Sequence, residues 1–213
     1  MKINLSQLPT AYINADSETD LDASFLETMS ELGYVNVTRF AGQPDVDGKV
    51  FSGIMKSNKE VLAAMKASAT YPFITLEDDV KGINYNDSIT IPGDADAVYL
   101  GLALLGEGFS ATPVDGFPGV YKIKKPIGLH SVLCVTKRYA DAFEAKLDEQ
   151  ISANFPNPDQ AINQTIQYPL AEDFNVYAVN PVFYKHISGN PSLSNLTRVV
   201  DVVKETIDPI NFG

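Results

Sequence analysis

Three consecutive acids, Glu77, Asp78 and Asp79, close the apolar run Phe73-Ile74-Thr75-Leu76, and their types and spacing are the chain's clearest chemical signal. An extended chain alternates its side chains, so Glu77 and Asp79 fall on one side and Asp78 on the other. Two carboxylates on one side suit a hard divalent cation, which would also relieve the repulsion among three adjacent negative charges. A solvated acid cluster at a strand-to-loop junction fits the same residues. A buried strand accepts such acids only at its end, where the crevice of an open α/β sheet lies.

The other reactive side chains are few. The chain holds two histidines, His130 and His186, and one cysteine, so no zinc-type Cys/His cluster is spelled out. Cys134 lies inside the apolar Val132–Val135 and reads as a buried strand residue rather than a nucleophile. With a single cysteine an internal disulfide is excluded, which fits a reducing, cytoplasmic setting. Asp45-Val46-Asp47-Gly48 lacks the remaining ligands of a calcium loop.

Positioning the acids requires a sheet, and the pattern upstream supplies one. Ala11–Ala15 reads as a first strand, and Leu21, Phe25, Met29 and Leu32 at helical spacing lead to a stop at Gly33. Val35–Phe40 is a second strand and Ala41–Gly53 a Gly/Pro/Asp-rich loop. Ser57-Asn58-Lys59-Glu60 is a capping box, predicting a helix with Val61, Leu62, Met65 and Ala69 facing inward. Strand, helix, strand, helix, strand is the opening of a nucleotide-binding α/β half. Shorter strands are predicted at Ser88–Ile91, Ala97–Gly101, Val120–Lys124 and Ser131–Thr136, with a loop over Gly106–Gly119. Tyr139, Phe143, Leu147 and Ile151 mark an amphipathic helix; another runs from Asn157 to about Gln167. Asn175–Val179 is the last core strand, and Leu196–Ile207 a final helix. The expected fold is α/β: one domain over residues 1–213, a mixed, mainly parallel central sheet flanked by helices.

Composition sets limits on partners. A net charge of −11 argues against nucleic-acid or anionic-membrane binding, both of which need basic patches. No apolar stretch is long enough to be read as a membrane span, and Val98–Leu105 is too short. Met1–Thr10 does not read as a signal peptide, and the four Asn-x-Ser/Thr triplets then carry no glycosylation signal. The chain stops at Ile-Asn-Phe-Gly without a structural signal, so further domains C-terminal to it are expected.

The succession Tyr12-Ile13-Asn14, Arg39-Phe40, Gly53 and Leu76-Glu77-Asp78-Asp79-Val80, followed by Gly128-Leu129-His130-Ser131 and Pro158-Asp159-Gln160-Ala161-Ile162, resembles the glycosyltransferases that decorate lipopolysaccharide cores and collagen. The resemblance covers about residues 11–186 and rests on short motifs in a shared order. It implies a nucleotide-diphospho-sugar (GT-A type) fold. The chain is also similar to the first domain of a multidomain glycosyltransferase encoded by a large algal virus, which implies capsid glycan synthesis in a host cytoplasm.

The resemblance implies a transfer of hexose from a UDP-sugar to a glycan or glycoprotein acceptor, with UDP-glucose the first donor and UDP-galactose or UDP-rhamnose behind it. It makes Asp79 the firmest ligand of Mn²⁺ (or Mg²⁺), with Glu77 and His186 beside it. Glu77 or Asp78 would instead hold the ribose, and Lys185 a phosphate. The base is expected against Ala11, Tyr12 and Asn14, with Gly53 and Ser57 near the nucleotide. Tyr12 as a core aromatic, Ser57 as a cap and His186 as a packing residue fit equally well. Asp159 would serve as general base in an inverting transfer, or simply as an N-cap, and Gln160 would orient the donor sugar. His130, entering an apolar strand, reads as structural. Two other functions fit the acids less well. A Mg²⁺-dependent phosphotransferase would carry Asp-x-Asp-x-Thr, and a calcium-dependent glycan-binding module would be all-β.

Overall fold

A computed structural model describes residues 1–46, 52–68, 70–82, 85–102, 109–126, 128–153, 163–180 and 183–186, with only the backbone at Asn163 and at residues 184–186. Its centre is a mixed sheet of eight described strands in the order β3-β2-β4-β10-β7-β11-β9-β8. Three parallel strands form one side: β2 (Thr10–Asn14), β3 (Val37–Ala41) and β4 (Phe73–Glu77). β10 (Ser131–Cys134) runs antiparallel between β4 and β7 (Ala97–Tyr99). β11 (Val176–Val179) lies parallel to β7. β9 (Val120–Lys124) and β8 (Ser110–Pro113) complete the sheet as an antiparallel pair. Only β9 and β10 oppose the common direction, so the carboxyl ends of β2, β3, β4, β7 and β11 share one edge.

Period-2 patterning explains the layers. Phe73, Ala97, Tyr99, Val132, Cys134, Val176 and Ala178 face one side, where they meet α2 (Ser52–Ala67) and α3 (Lys137–Ser152). Ile74, Leu76, Val98, Leu133, Tyr177 and Val179 face the other, against α1 (Thr19–Glu31). On that face Phe25 of α1, 1% exposed, stacks on Tyr12 with ring centroids 4.3 Å apart. Burying such a ring stabilises the fold by about 2 kcal/mol. Gly33 stops α1 at φ +78°, the left-handed conformation a helix end commonly needs.

α2 and α3 are held together outside their apolar seam by Lys66, which reaches Asp141 at 2.7 Å and also pairs with Glu144. Lys59 pairs with Asp148. Asp96 secures the end of the sheet opposite the carboxyl edge. Its buried carboxylate accepts from Thr136 Oγ1 (2.7 Å), Arg138 Nε (2.6 Å) and the Asn175 amide (3.0 Å). Its backbone bonds Val135, Thr136 and Asn175, so one residue ties β7, the β10–α3 junction and β11. Burial alone would raise the Asp96 pKa; the bonds from Arg138, Thr136 and the Asn175 amide outweigh it and hold the pKa low.

Several elements depart from the sequence reading. α2 begins at Ser52, so Ser57 lies inside the helix rather than capping it. The cap comes from the preceding loop: the Gly53 amide donates to Asp45 Oδ1 at 2.7 Å. The segment expected as a loop to Gly119 contains β8, whose short exposed strand has little apolar signal. Residues 163–167 form a π-helical turn into α4 (Tyr168–Asp173), an unforeseen helix, while 154–162 lie outside the described residues. Two small pairings were also missed: β1 (Lys2–Asn4) with β6 (Ser88–Thr90), and β5 (Val80–Gly82) with β12 (Tyr184–His186). The Leu196–Ile207 helix falls outside the described residues. Among those residues no helix is long and apolar enough to cross a membrane.

Candidate functional site

The acids stand where the common carboxyl edge places them. β4 ends at Glu77, and Asp78 and Asp79 make a turn into β5. The simple alternation that would put Glu77 and Asp79 on one side therefore stops at Glu77, because the chain leaves the extended conformation there. Glu77 is half-buried, and its amide donates to the His130 carbonyl at 3.1 Å. Asp79 is 8% exposed, well enclosed for a carboxylate, and His130, beside Glu77 at the start of β10, is fully buried. Burial raises the Asp78 pKa, and the neighbouring Asp79 charge adds to it; a hydrogen bond from Asn14 offsets part of the rise.

The β5–β12 pairing returns a distant segment to this turn. Its register sets His186 opposite Val80 and Lys185 opposite Lys81, one and two residues beyond Asp79. On its other side Gly82 packs against the end of α1, where a Cβ would stand 2.9 Å from Leu32 Cδ1. The backbone thus brings Lys185 and His186 alongside the strand that immediately follows Glu77, Asp78 and Asp79. Among the described residues, no three His, Cys, Asp or Glu side chains gather into a metal cluster. The donors near the turn are carboxylate oxygens, which suit Mn²⁺ or Mg²⁺; an imidazole-bearing residue stands in register with the next strand, and its nitrogen would fit Mn²⁺ better than Mg²⁺.

A second set of side chains continues the site along the edge. Asn14, 1% exposed at the end of β2, donates Nδ2 to Asp78 Oδ2 at 2.6 Å and to the Glu18 carbonyl at 3.0 Å. Its Oδ1 accepts from Arg39 Nε at 2.9 Å. Arg39 Nη2 reaches the Asn14 carbonyl at 3.2 Å and Asp16 at 2.6 Å, and its Nε stands 3.5 Å from Asp22. The Tyr12 hydroxyl donates to Asp22 at 2.7 Å; burial and that partner push its pKa well up.

These contacts sort the remaining expected residues. Ala11 and Tyr12 have side chains in the core, and the Tyr12 ring is covered by Phe25, so it offers no open face for a base to stack on. Asn14 is at the edge but fully engaged. The tight approach at Gly53 is internal: a Cβ there would stand 2.1 Å from the Gln43 carbonyl oxygen. Ser57 is buried, accepting from the Gln43 amide and donating to the Gly53 carbonyl, each at 2.8 Å. Asp159 and Gln160 lie outside the described residues. Arg39, Asp16 and Asp22 are the residues the sequence reading passed over as site groups. Their signal was an arginine within a β-strand pattern, following an acid-rich turn on the neighbouring strand.

No family model and no curated protein matches the chain. Solved structures do. The fold is similar to that of a glycosyltransferase involved in the glycosylation of the major capsid of PBCV-1, with a TM-score of 0.55 and 14% identity over 92% of this chain and 99% of that one. The nucleoside-diphosphate-sugar pyrophosphorylase of Vibrio cholerae RC9 matches with a TM-score of 0.44 and 12% identity, over 91% of this chain and 82% of that one. The CTP:phosphocholine cytidylyltransferase of Streptococcus pneumoniae matches with a TM-score of 0.43 and 11% identity, over 91% and 99%. The chain therefore has a glycosyltransferase-like α/β fold. At 14% identity, the likeness to the capsid-glycosylating enzyme is one of fold.

Proposed function

We propose that this protein is a metal-dependent glycosyltransferase that moves a hexose from a UDP-sugar to a glycan or glycoprotein acceptor. The observation that carries the reading is the enclosed Asp78–Asp79 turn at the common carboxyl edge, with His186 brought into register one residue beyond it. Ligands of open α/β sheets bind at that edge. Asp79 and His186, with Glu77, are the residues that would hold Mn²⁺ or Mg²⁺, completed by the diphosphate oxygens of the donor. Small divalent cations are commonly held by one or two carboxylates plus substrate phosphates, so a three-residue cage is not required. When bound, the cation supplies Lewis-acid stabilisation of the charge that develops on the departing diphosphate.

The chain's own groups divide the remaining work. Asp78, held by Asn14, accepts hydrogen bonds from the ribose hydroxyls, and Lys185 neutralises a phosphate. In an inverting transfer the acceptor oxygen bonds to the anomeric carbon as that carbon's bond to the diphosphate breaks, and the acceptor proton passes to Asp159. Gln160 orients the sugar. UDP-glucose is the first donor to test, then UDP-galactose and UDP-rhamnose. A capsid glycan is the acceptor class that the enzyme of similar fold suggests testing. The deciding experiment is calorimetric titration of UDP, GDP and CMP with and without Mn²⁺. Binding of UDP alone, and only with metal, is expected; no nucleotide binding under either condition overturns the reading.

A further inference from the structure

We propose that Arg39 is a positioning residue for the crevice: it fixes the Asn14 amide, and through it the carboxylate of Asp78. The inference rests on the nucleotide-sugar reading for its ligand, a ribose diol, but its geometry stands independently. Asn14 is a buried amide with both ends committed. Oδ1 accepts from the Arg39 guanidinium at 2.9 Å, while Nδ2 donates to Asp78 at 2.6 Å and to the Glu18 carbonyl at 3.0 Å. Turning the amide over would set its NH₂ against the guanidinium and its oxygen against a carboxylate and a carbonyl. All three contacts would become repulsive, so the arginine selects one orientation.

Arg39 is itself held from two directions. Nη2 bridges the Asn14 carbonyl and Asp16, and Nε also lies 3.5 Å from Asp22, which the Tyr12 hydroxyl orients. β3 pairs with β2 in parallel, with Arg39 opposite Tyr12, so the edge strand delivers the guanidinium to its neighbour's end. The chain Asp16/Asp22–Arg39–Asn14–Asp78 crosses three adjacent strands. Its last member is the half-buried carboxylate beside Asp79. A planar fork is needed to serve Asn14 Oδ1, Asn14 O and Asp16 together, which an ammonium cannot reproduce.

The test uses Arg39→Gln and Arg39→Lys, both at a partly exposed position on an edge strand. The first readout is the Asn14 side-chain amide in ¹⁵N spectra, identified by its loss in Asn14→Ser. Wild type is expected to show an exchange-protected NH₂ pair, and both variants to lose that protection. The second is the affinity ratio, with Mn²⁺, between UDP and UDP lacking both ribose hydroxyls. It should fall about tenfold in both variants, the size of one hydrogen bond to a charged group, with the thermal midpoint nearly unmoved. An Asn14 amide unchanged in the variants overturns the proposal whatever the nucleotide does, as does a retained ratio. Wild type that shows the protected amide but binds no UDP instead overturns the nucleotide reading and leaves the positioning role of Arg39 established by the amide signal.

Discussion

Asp79 and Asp78 are adjacent, yet their settings differ and call for different tests. Asp79 is enclosed at the turn beside β5, whereas Asp78 is pinned by Asn14. Asp79→Asn keeps the shape of the side chain and removes one ligand charge. The expected outcome is loss of Mn²⁺-dependent UDP binding with the thermal midpoint unchanged, and metal-dependent affinity at the wild-type level would remove Asp79 from the metal site. The acids stood out in sequence because three adjacent carboxylates close an apolar strand, a pattern that fits a cation or ligand site and a solvated junction alike. Arg39 as a site residue was not, since its importance lies in contacts across a parallel pairing that spans 25 residues of chain. Tyr12 was legible only as a choice between core and ligand, and Phe25 decides it by stacking on the ring.

Among the elements, the strands that feed the edge were readable because buried strands carry near-continuous apolar runs, as in Phe73–Leu76, broken only by Thr75, and Val132–Val135. The start of α2 was misread because Ser57-Asn58-Lys59-Glu60 satisfies a capping pattern while Asp45, eight residues before Gly53, provides the acceptor. Short pairings such as β5–β12 leave almost no periodicity to read, and only tertiary contact reveals them. The helix start also carries a prediction. Gly53→Ala drives a methyl group into the Gln43 carbonyl and into backbone, which gives little. Thermal unfolding should show a loss of about 2–3 kcal/mol, roughly 5–10 °C for a domain of this size. A midpoint within about 1 °C of wild type would show that the 43–45 loop yields freely.

At the scale of the molecule, Asp96 and the surface charge act in different pH and salt ranges. A depressed carboxylate stabilises the fold above its unfolded value, about 3.9, and that contribution disappears as pH falls through the lower folded value. Asp96→Asn should therefore destabilise by about 2–3 kcal/mol at pH 7, with the gap narrowing below about pH 4. Urea unfolding at both pH values checks this, and an equal gap at each would count against the ion pair as its source. A net charge of −11 adds self-repulsion that salt screens, so raising NaCl from about 0.02 to 0.2 M should raise the thermal midpoint. A midpoint that falls with salt would mean that the Lys66 and Arg39 ion pairs outweigh the repulsion. The Asp96 fastening has one more consequence. Amide protons should exchange most slowly near Asp96 and progressively faster along each strand towards Asp79, so a nucleotide docking at the acids would slow exchange chiefly at the far tips of β2 and β4, turning a gradient into a plateau.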